Sequence, residues 1–253
     1  MPGSVQSIER AAAVLRLLAG GTGRLGLVEV ANALGLAKGT AHGILRTLQE
    51  VGFVAQDRTT GKYLLGDGLL ALTVPRLDPS ELRSRAVNWT DSLAARAGET
   101  VRLGVLDGGS VLVASHCFRP DDTEQVLEVG TRRPAHACAM GKVLLAHDPG
   151  GRVLLRRGPL QAYTPRTTVD PRELDGELAQ VRRQGWALDA EQVEMGVAGL
   201  AAPVRDRGGL TVAAVGITGT LERVCDGSRA PRPALLALVQ DAARAISREL
   251  ATP

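Results

Sequence analysis

Two groups of residues in this 253-residue chain are of types that could do chemistry, and their spacing decides between them. The first is a set of cysteines and histidines: His116-Cys117, then His136-Ala137-Cys138, then His147. Zinc needs four such ligands converging in a tetrahedron, but the spacing matches no regular zinc pattern and no CxxC pair is present. A thiolate nucleophile needs a base and an oxyanion hole, and no motif supplies them. No catalytic residue, metal or cofactor is therefore expected. The cysteines read as small buried hydrophobes, with a redox sensor as the variant if Cys117 or Cys138 is exposed and acidified. The second group lies at 38–47, where Lys38, Thr40, His42, Gly43, Arg46 and Thr47 fall on the outward side of one helical period. Arg46 has the fork for a bidentate contact to guanine, Lys38 and Thr40 suit phosphates or bases, and Gly43 lets a backbone approach. His42 reads equally well as a solvated residue.

The elements that position this second group are legible as three short helices. Ile8, Ala11 or Ala12, Leu15 and Leu18 stripe a helix closed by Gly20-Gly21, a second block runs from Leu27 to Leu34, and a third from Lys38 to Glu50. In the last two, Val30, Leu34, Leu36, Ala41 and Ile44 are apolar, Ala31 is small and Gly35 stands at the turn, as a helix-turn-helix demands. Phe53–Gln56 and Tyr63–Leu65 around DRTTGK read as a hairpin wing, with Arg58 and Lys62 at its tip to grip phosphates.

A boundary is expected at Pro75-Arg-Leu-Asp-Pro79, which divides the chain into residues 1–75, a linker helix over 76–98 and a second domain over 99–253. Asp78-Pro79-Ser80-Glu81 is a helix start, and Leu82, Ala86, Trp89, Leu93 and Ala97 stripe the helix that follows. Beyond Gly98, ETVRLGVL and SVLVASHCF read as a hairpin, QVLEV, GVAGLAAPV and LTVAAVGIT as further strands, and 139–147, 172–184 and 234–250 as helices. Strands mixed with helices without strict alternation predict an α+β domain.

Composition narrows the function class. With 44% hydrophobic and 23% charged residues the chain is neither disordered nor a membrane protein, and no window has the apolar length of a span. The opening MPGSVQSIER has no signal-peptide pattern, so a cytoplasmic location is expected. The net charge of +3 is a weak pointer to nucleic acid. Six aromatics without RNP-like spacing disfavour RNA or single strands and leave duplex DNA.

The run from SVQSIERAAAVLRLLAGG through GLAKGTAHGILRTLQEVGFVAQD to GKYLLGDGLLAL resembles the winged helix-turn-helix of IclR-type bacterial transcription regulators. The stretches HCFRPDD, QVLEVG and AAVGITG extend the likeness over nearly the whole chain, toward the branch of that family that governs glycerol catabolism. Many members carry Arg where this chain has Gly43. The resemblance implies a GAF-like effector domain whose hallmark is PAHACAMGKVLLA (134–146). It further implies a pocket of Met140 and Gly141, contacting ligand through backbone, with Asp189, Glu191, Gly199, Leu200, Ile217 and Thr218. Asp189 would accept from hydroxyls and Thr218 would donate or accept. Gly199 stands where some relatives have a polar side chain. A helix start at Gly141 would also favour an anion. The implied protein is a non-enzymatic repressor, a homodimer or tetramer, on a palindromic double-stranded operator. Its effector would be glycerol 3-phosphate, glycerol or a small carboxylate. The competing class is a small-molecule or redox sensor acting through protein contacts.

Overall fold

The computed structural model describes residues 5–20, 23–57, 59–66, 68–69, 78–121, 123–148, 150 and 158–252. Gly21, Arg58 and Pro75–Leu77 of the expected boundary lie outside them. The chain divides into two compact units, Met1–Val74 and Pro75–Pro253.

In the first unit, α1 (Gln6–Ala19), α2 (Leu27–Ala33) and α3 (Lys38–Glu50) precede β1 (Val54–Gln56) and β2 (Tyr63–Leu65). Val14, Leu18, Val30, Leu45, Leu48, Val54 and Tyr63 form its core. The buried face of α1 centres on Val14 and Leu18, whereas Ile8, expected on that face, is 66% exposed. Ile8 lies ahead of the point where burial on α1 begins, at Arg10, while Ala11 and Leu15 pack against the core as expected. Gly35, at φ +63°, takes the left-handed turn between α2 and α3 that a side chain would strain. The β1–β2 hairpin pairs Val54 with Leu65, and Leu25 adds a bridge to Tyr63.

The second unit opens with α4 (Pro79–Ala97), capped by Asp78 Oδ1, which accepts from the Ser80 N–H at 2.8 Å, and closed by Gly98 at φ +64°. There follow β3 (Thr100–Asp107), β4 (Ser110–Cys117), β5 (Arg132–Pro134), α5 (Ala139–His147), α6 (Pro171–Gln184), β6 (Ala187–Ala190), β7 (Val197–Arg205), β8 (Thr211–Thr220), α7 (Leu221–Val224) and α8 (Pro233–Ala251). The strands make one antiparallel sheet in the order β5-β4-β3-β8-β7-β6, an α+β arrangement. Alternation gives it two apolar faces. One packs Leu103, Val215 and Leu200 beneath α4 and α8, with Trp186 at its margin, and the other packs Ala201, Ala214 and Val111 beneath α5 and α6.

Two expectations are corrected here. The buried stripe of α4 runs through Leu82, Ala86, Thr90, Leu93 and Ala94, which leaves Trp89 36% exposed. QVLEV is not a strand: Val126 and Leu127 are both largely exposed, so the run has no buried face, and Gln125 Oε1 accepts from Thr100 Oγ1 and from the Arg119 N–H instead of a ladder forming. Among the described residues no helix is long and apolar enough to cross a membrane.

Candidate nucleic-acid interface and effector pocket

Burial of Ala41, Leu45 and Leu48 fixes the rotation of α3 and turns Lys38, Thr40, His42, Gly43, Arg46 and Thr47 to solvent. Arg46 Nε lies 3.0 Å from Glu50 Oε1, a pair with both side chains mostly in water that holds the guanidinium only weakly. Thr47 Oγ1 donates to the Gly43 carbonyl at 3.1 Å. A Cβ on Gly39 or Gly43 would meet nothing within 4 Å, so both glycines leave a shallow, open strip along the helix. In the wing, Lys62 Nζ stands 3.8 Å from Glu29 Oε2. Asp57 ties the turn by accepting from the Thr59 and Thr60 N–H groups at 2.8 and 3.0 Å, and the Thr60 bond first, with Thr59, keeps its carboxyl below the usual range. A helix with an outward strip of cation, hydroxyls and bare backbone, followed by a hairpin carrying a lysine, fits the major groove of duplex DNA and its flanking phosphates.

In the second unit a narrow cleft, with about 20 Å³ of room for the centres of water molecules, opens between the sheet and the start of α5. Met140, Asp189, Gly199, Leu200, Ile217 and Thr218 all line it. Leu200 and Ile217 belong to the core of the opposite sheet face, so what they offer the cavity is backbone. Gly199 leaves room: a Cβ there would find Ala139 Cβ at 3.6 Å and Thr218 Oγ1 at 3.8 Å. Asp189, 6% exposed, accepts the Gln192 N–H at 2.7 Å, and burial pushes its carboxyl up to about 6 against the pull of Lys142 and Arg133.

Two residues expected in this pocket stand elsewhere. Gly141 packs against Ala135, whose carbonyl oxygen would lie 2.2 Å from an added Cβ, and its N–H points at Cys138 Sγ at 3.4 Å. It is a close-packing glycine behind the cavity wall. Glu191, in the left-handed region at φ 64°, turns away to accept from the Gly196 N–H at 2.9 Å and from Arg229, with Arg166 Nε 2.9 Å distant. The Arg229 bond first, then Gly196, holds its carboxyl below the usual range.

The sequence reading missed Arg133, whose side chain also lines the cavity. An Arg-Arg-Pro step before a helix motif carries no period or spacing that marks it out. The cysteines and histidines are dispersed into separate bonds. Cys117 Sγ donates to Asp91 Oδ1 at 3.1 Å, His136 Nε2 lies 2.9 Å from the Gln161 carbonyl oxygen, and His147 Nδ1 lies 2.9 Å from that of Val143. Burial pushes the Cys117 and Cys138 thiols up to about 11, the reverse of the acidification a redox sensor needs.

Comparison with known proteins places both units. Residues 7–58 match the IclR helix-turn-helix domain, and residues 75–248 match the C-terminal domain of the bacterial transcriptional regulator IclR. The chain is 52% identical over 250 residues to the glycerol operon regulatory protein of Streptomyces coelicolor, covering 99% of this chain and 98% of that one. Its fold is similar to the crystal structure of IclR from Thermotoga maritima, with a TM-score of 0.61 and 25% identity over 96% of this chain and 98% of that one. It is also similar in fold to an IclR homologue from Microbacterium hydrocarbonoxydans complexed with 4-hydroxybenzoate (TM-score 0.61, 24% identity, 97% and 99% covered). With one domain model matched on the DNA-reading unit and another on nearly all of the rest, the chain belongs to the IclR family of bacterial transcriptional regulators.

Proposed function

We propose that this chain is the effector-released repressor of a glycerol catabolic operon. The observation that carries the reading is the 52% identity to a glycerol operon regulatory protein along nearly its whole length. Two copies would set two α3 helices on a palindromic operator in double-stranded DNA, as a dimer or a tetramer, with Lys62 and Arg58 on phosphates.

The pocket chemistry favours a small ligand with hydroxyls and an anionic group. Asp189 is a buried acceptor suited to hydroxyl donors, and Arg133 on the same cavity is a cation suited to a phosphate. Glycerol 3-phosphate meets both demands. Glycerol alone buries little apolar area and meets one, and a small carboxylate lacks the hydroxyls. Binding would lower operator affinity, since a catabolic operon induced by its substrate needs its repressor released.

The test pairs footprinting on the DNA upstream of the gene and its neighbours with calorimetric titration of the three ligands. A protected palindrome, released by glycerol 3-phosphate, supports the reading. Saturable binding of a carboxylate with no heat from either glycerol compound overturns the effector, and absence of any protected site overturns the operon.

A further inference from the structure

The sheet face that carries Asp189 continues past the cavity onto β3 and β4. Asp189 pairs with Gly199, Gly199 with Thr218 and Thr218 with Thr100. Two residues further along β3, Arg102 pairs with Gly216 on one side and with His116 on the other. Directly paired residues share a face, as do residues two apart on a strand, so Arg102 and His116 lie on the face of Asp189. Gly216, Arg102's neighbour, lines the cavity. Asp189 stands three strands from Arg102, on the order of 14 Å at the usual strand spacing.

Arg102 is 8% exposed. Its Nη2 donates to Glu128 Oε1 at 2.6 Å, while Nε and Nη1 are shielded from solvent and meet no partner among the described residues. Arg133 Nη1 donates to the other oxygen, Glu128 Oε2, at 3.1 Å. The Glu128 N–H donates to His116 Nδ1 at 3.0 Å, which fixes the ring as the neutral tautomer with its proton on Nε2, and Nε2 too is buried without a partner among the described residues. Burial first, then Arg102, lowers His116, so this tautomer persists at neutral pH. Two guanidiniums thus close on one carboxylate, and three buried nitrogens with hydrogens to give have nothing to give them to. A native fold rarely leaves buried donors in that condition, because each costs its full desolvation unless a water, an ion or a ligand completes it.

Glu128 has the character of an internal occupant. Burial would raise its carboxyl, but Arg102 and Arg133 hold it below the ordinary glutamate range, so it stays ionised between them. It sits on the segment between β4 and β5, outside regular structure, and its side chain can swing off the two guanidiniums while its N–H stays on His116 Nδ1. We propose that Arg102, His116 and Arg133 form an anion seat contiguous with the effector cavity, held by Glu128 in the free protein, and that a phosphate monoester takes the seat by displacing the carboxylate. The choice of a phosphate ester rests on the glycerol reading above. The seat itself does not.

The experiment titrates the full-length protein with inorganic phosphate, glycerol 3-phosphate, glycerol and acetate. Glu128→Gln removes the competing charge while keeping the side chain's shape. It should tighten inorganic phosphate and glycerol 3-phosphate by about tenfold, roughly 1.4 kcal/mol, and leave glycerol unchanged. Arg102→Met should weaken both phosphates by a similar factor, with Arg102→Lys between it and the unaltered protein. If Arg102→Met does not fold, the gain in Glu128→Gln carries the test alone. Phosphate affinity unchanged by Glu128→Gln, or no phosphate binding to that variant, overturns the seat. A gain for inorganic phosphate with no binding of either glycerol compound supports the seat and overturns the glycerol effector. Glycerol binding without any gain for the phosphates does the opposite.

Discussion

A methyl group at Gly141 would press to 2.2 Å on the Ala135 carbonyl oxygen, a backbone atom that cannot swing aside. Gly141→Ala should therefore destabilise the second unit by about 1–3 kcal/mol or more, read as a lower urea midpoint, and a midpoint equal to that of the parent would refute the packing role. From sequence alone, a glycine in the first turn of a helix suits an anion or a close neighbour equally, and only the location of Ala135 decides. Asp189 carries a pH signature of defined sign. Its carboxyl rises from 3.8 to about 6 on burial, so the folded state binds the proton more tightly than the unfolded chain. The resulting penalty is absent at low pH, grows as pH rises through this window and is complete above it, amounting to roughly 2–3 kcal/mol. Asp189→Asn keeps an acceptor for the Gln192 N–H and removes the penalty. Denaturation at pH 4 and pH 8 should show the variant's advantage only at the higher value, and parallel curves would exclude it. The same substitution should weaken hydroxyl-bearing effectors, which sets stability against sensing at a single atom.

At the level of elements, α3 has two open glycines on an exposed face, an arrangement poor in helix stability. Gly43→Ala should raise thermal stability by about 0.5–1 kcal/mol while lowering operator affinity, because the methyl fills the strip where a DNA backbone would approach. A variant that gains stability and binds operator as before would show that the strip is unused. Arg46→Ala gives up only an exposed i,i+4 pair in the free protein, worth a few tenths of a kcal/mol, but about 1–3 kcal/mol at one base pair per half-site on the operator. Equal losses on operator and random duplex would count against base reading by Arg46. The helix-turn-helix was legible because burial at Val30, Ala31, Ala41 and Leu45 repeats at helical period and Gly35 must take positive φ. β5 and β6, three and four residues long, leave too few alternations to register. Arg133 escaped because the cavity gathers residues from five separated segments that only the sheet order brings together.

For the whole molecule, each unit has its own core: one around Leu45 and Tyr63 in the first, and two, one on each sheet face, in the second. A chain of residues 76–253 should then fold alone and bind effector with the affinity of the full protein, since every residue described at the cavity and the anion seat belongs to it. Loss of binding on truncation, with the secondary structure retained, would refute that independence. α4 packs against α8, β3 and β4 as an integral helix of this unit, so a truncation beginning after Ala97 should fail to fold. The division has an optical consequence. Both tryptophans, Trp89 on α4 and Trp186 at the entry to β6, lie in the second unit, while the first holds Tyr63 as its lone ultraviolet-emitting phenol. Light absorbed by indole alone therefore reports on the sensing half of the molecule and is blind to the half that reads DNA. Trp89, 36% exposed, and partly covered Trp186 should differ in emission colour and in quenching by iodide, so the sensing unit comes with two intrinsic, separable lamps, one on its first helix and one midway along its sequence.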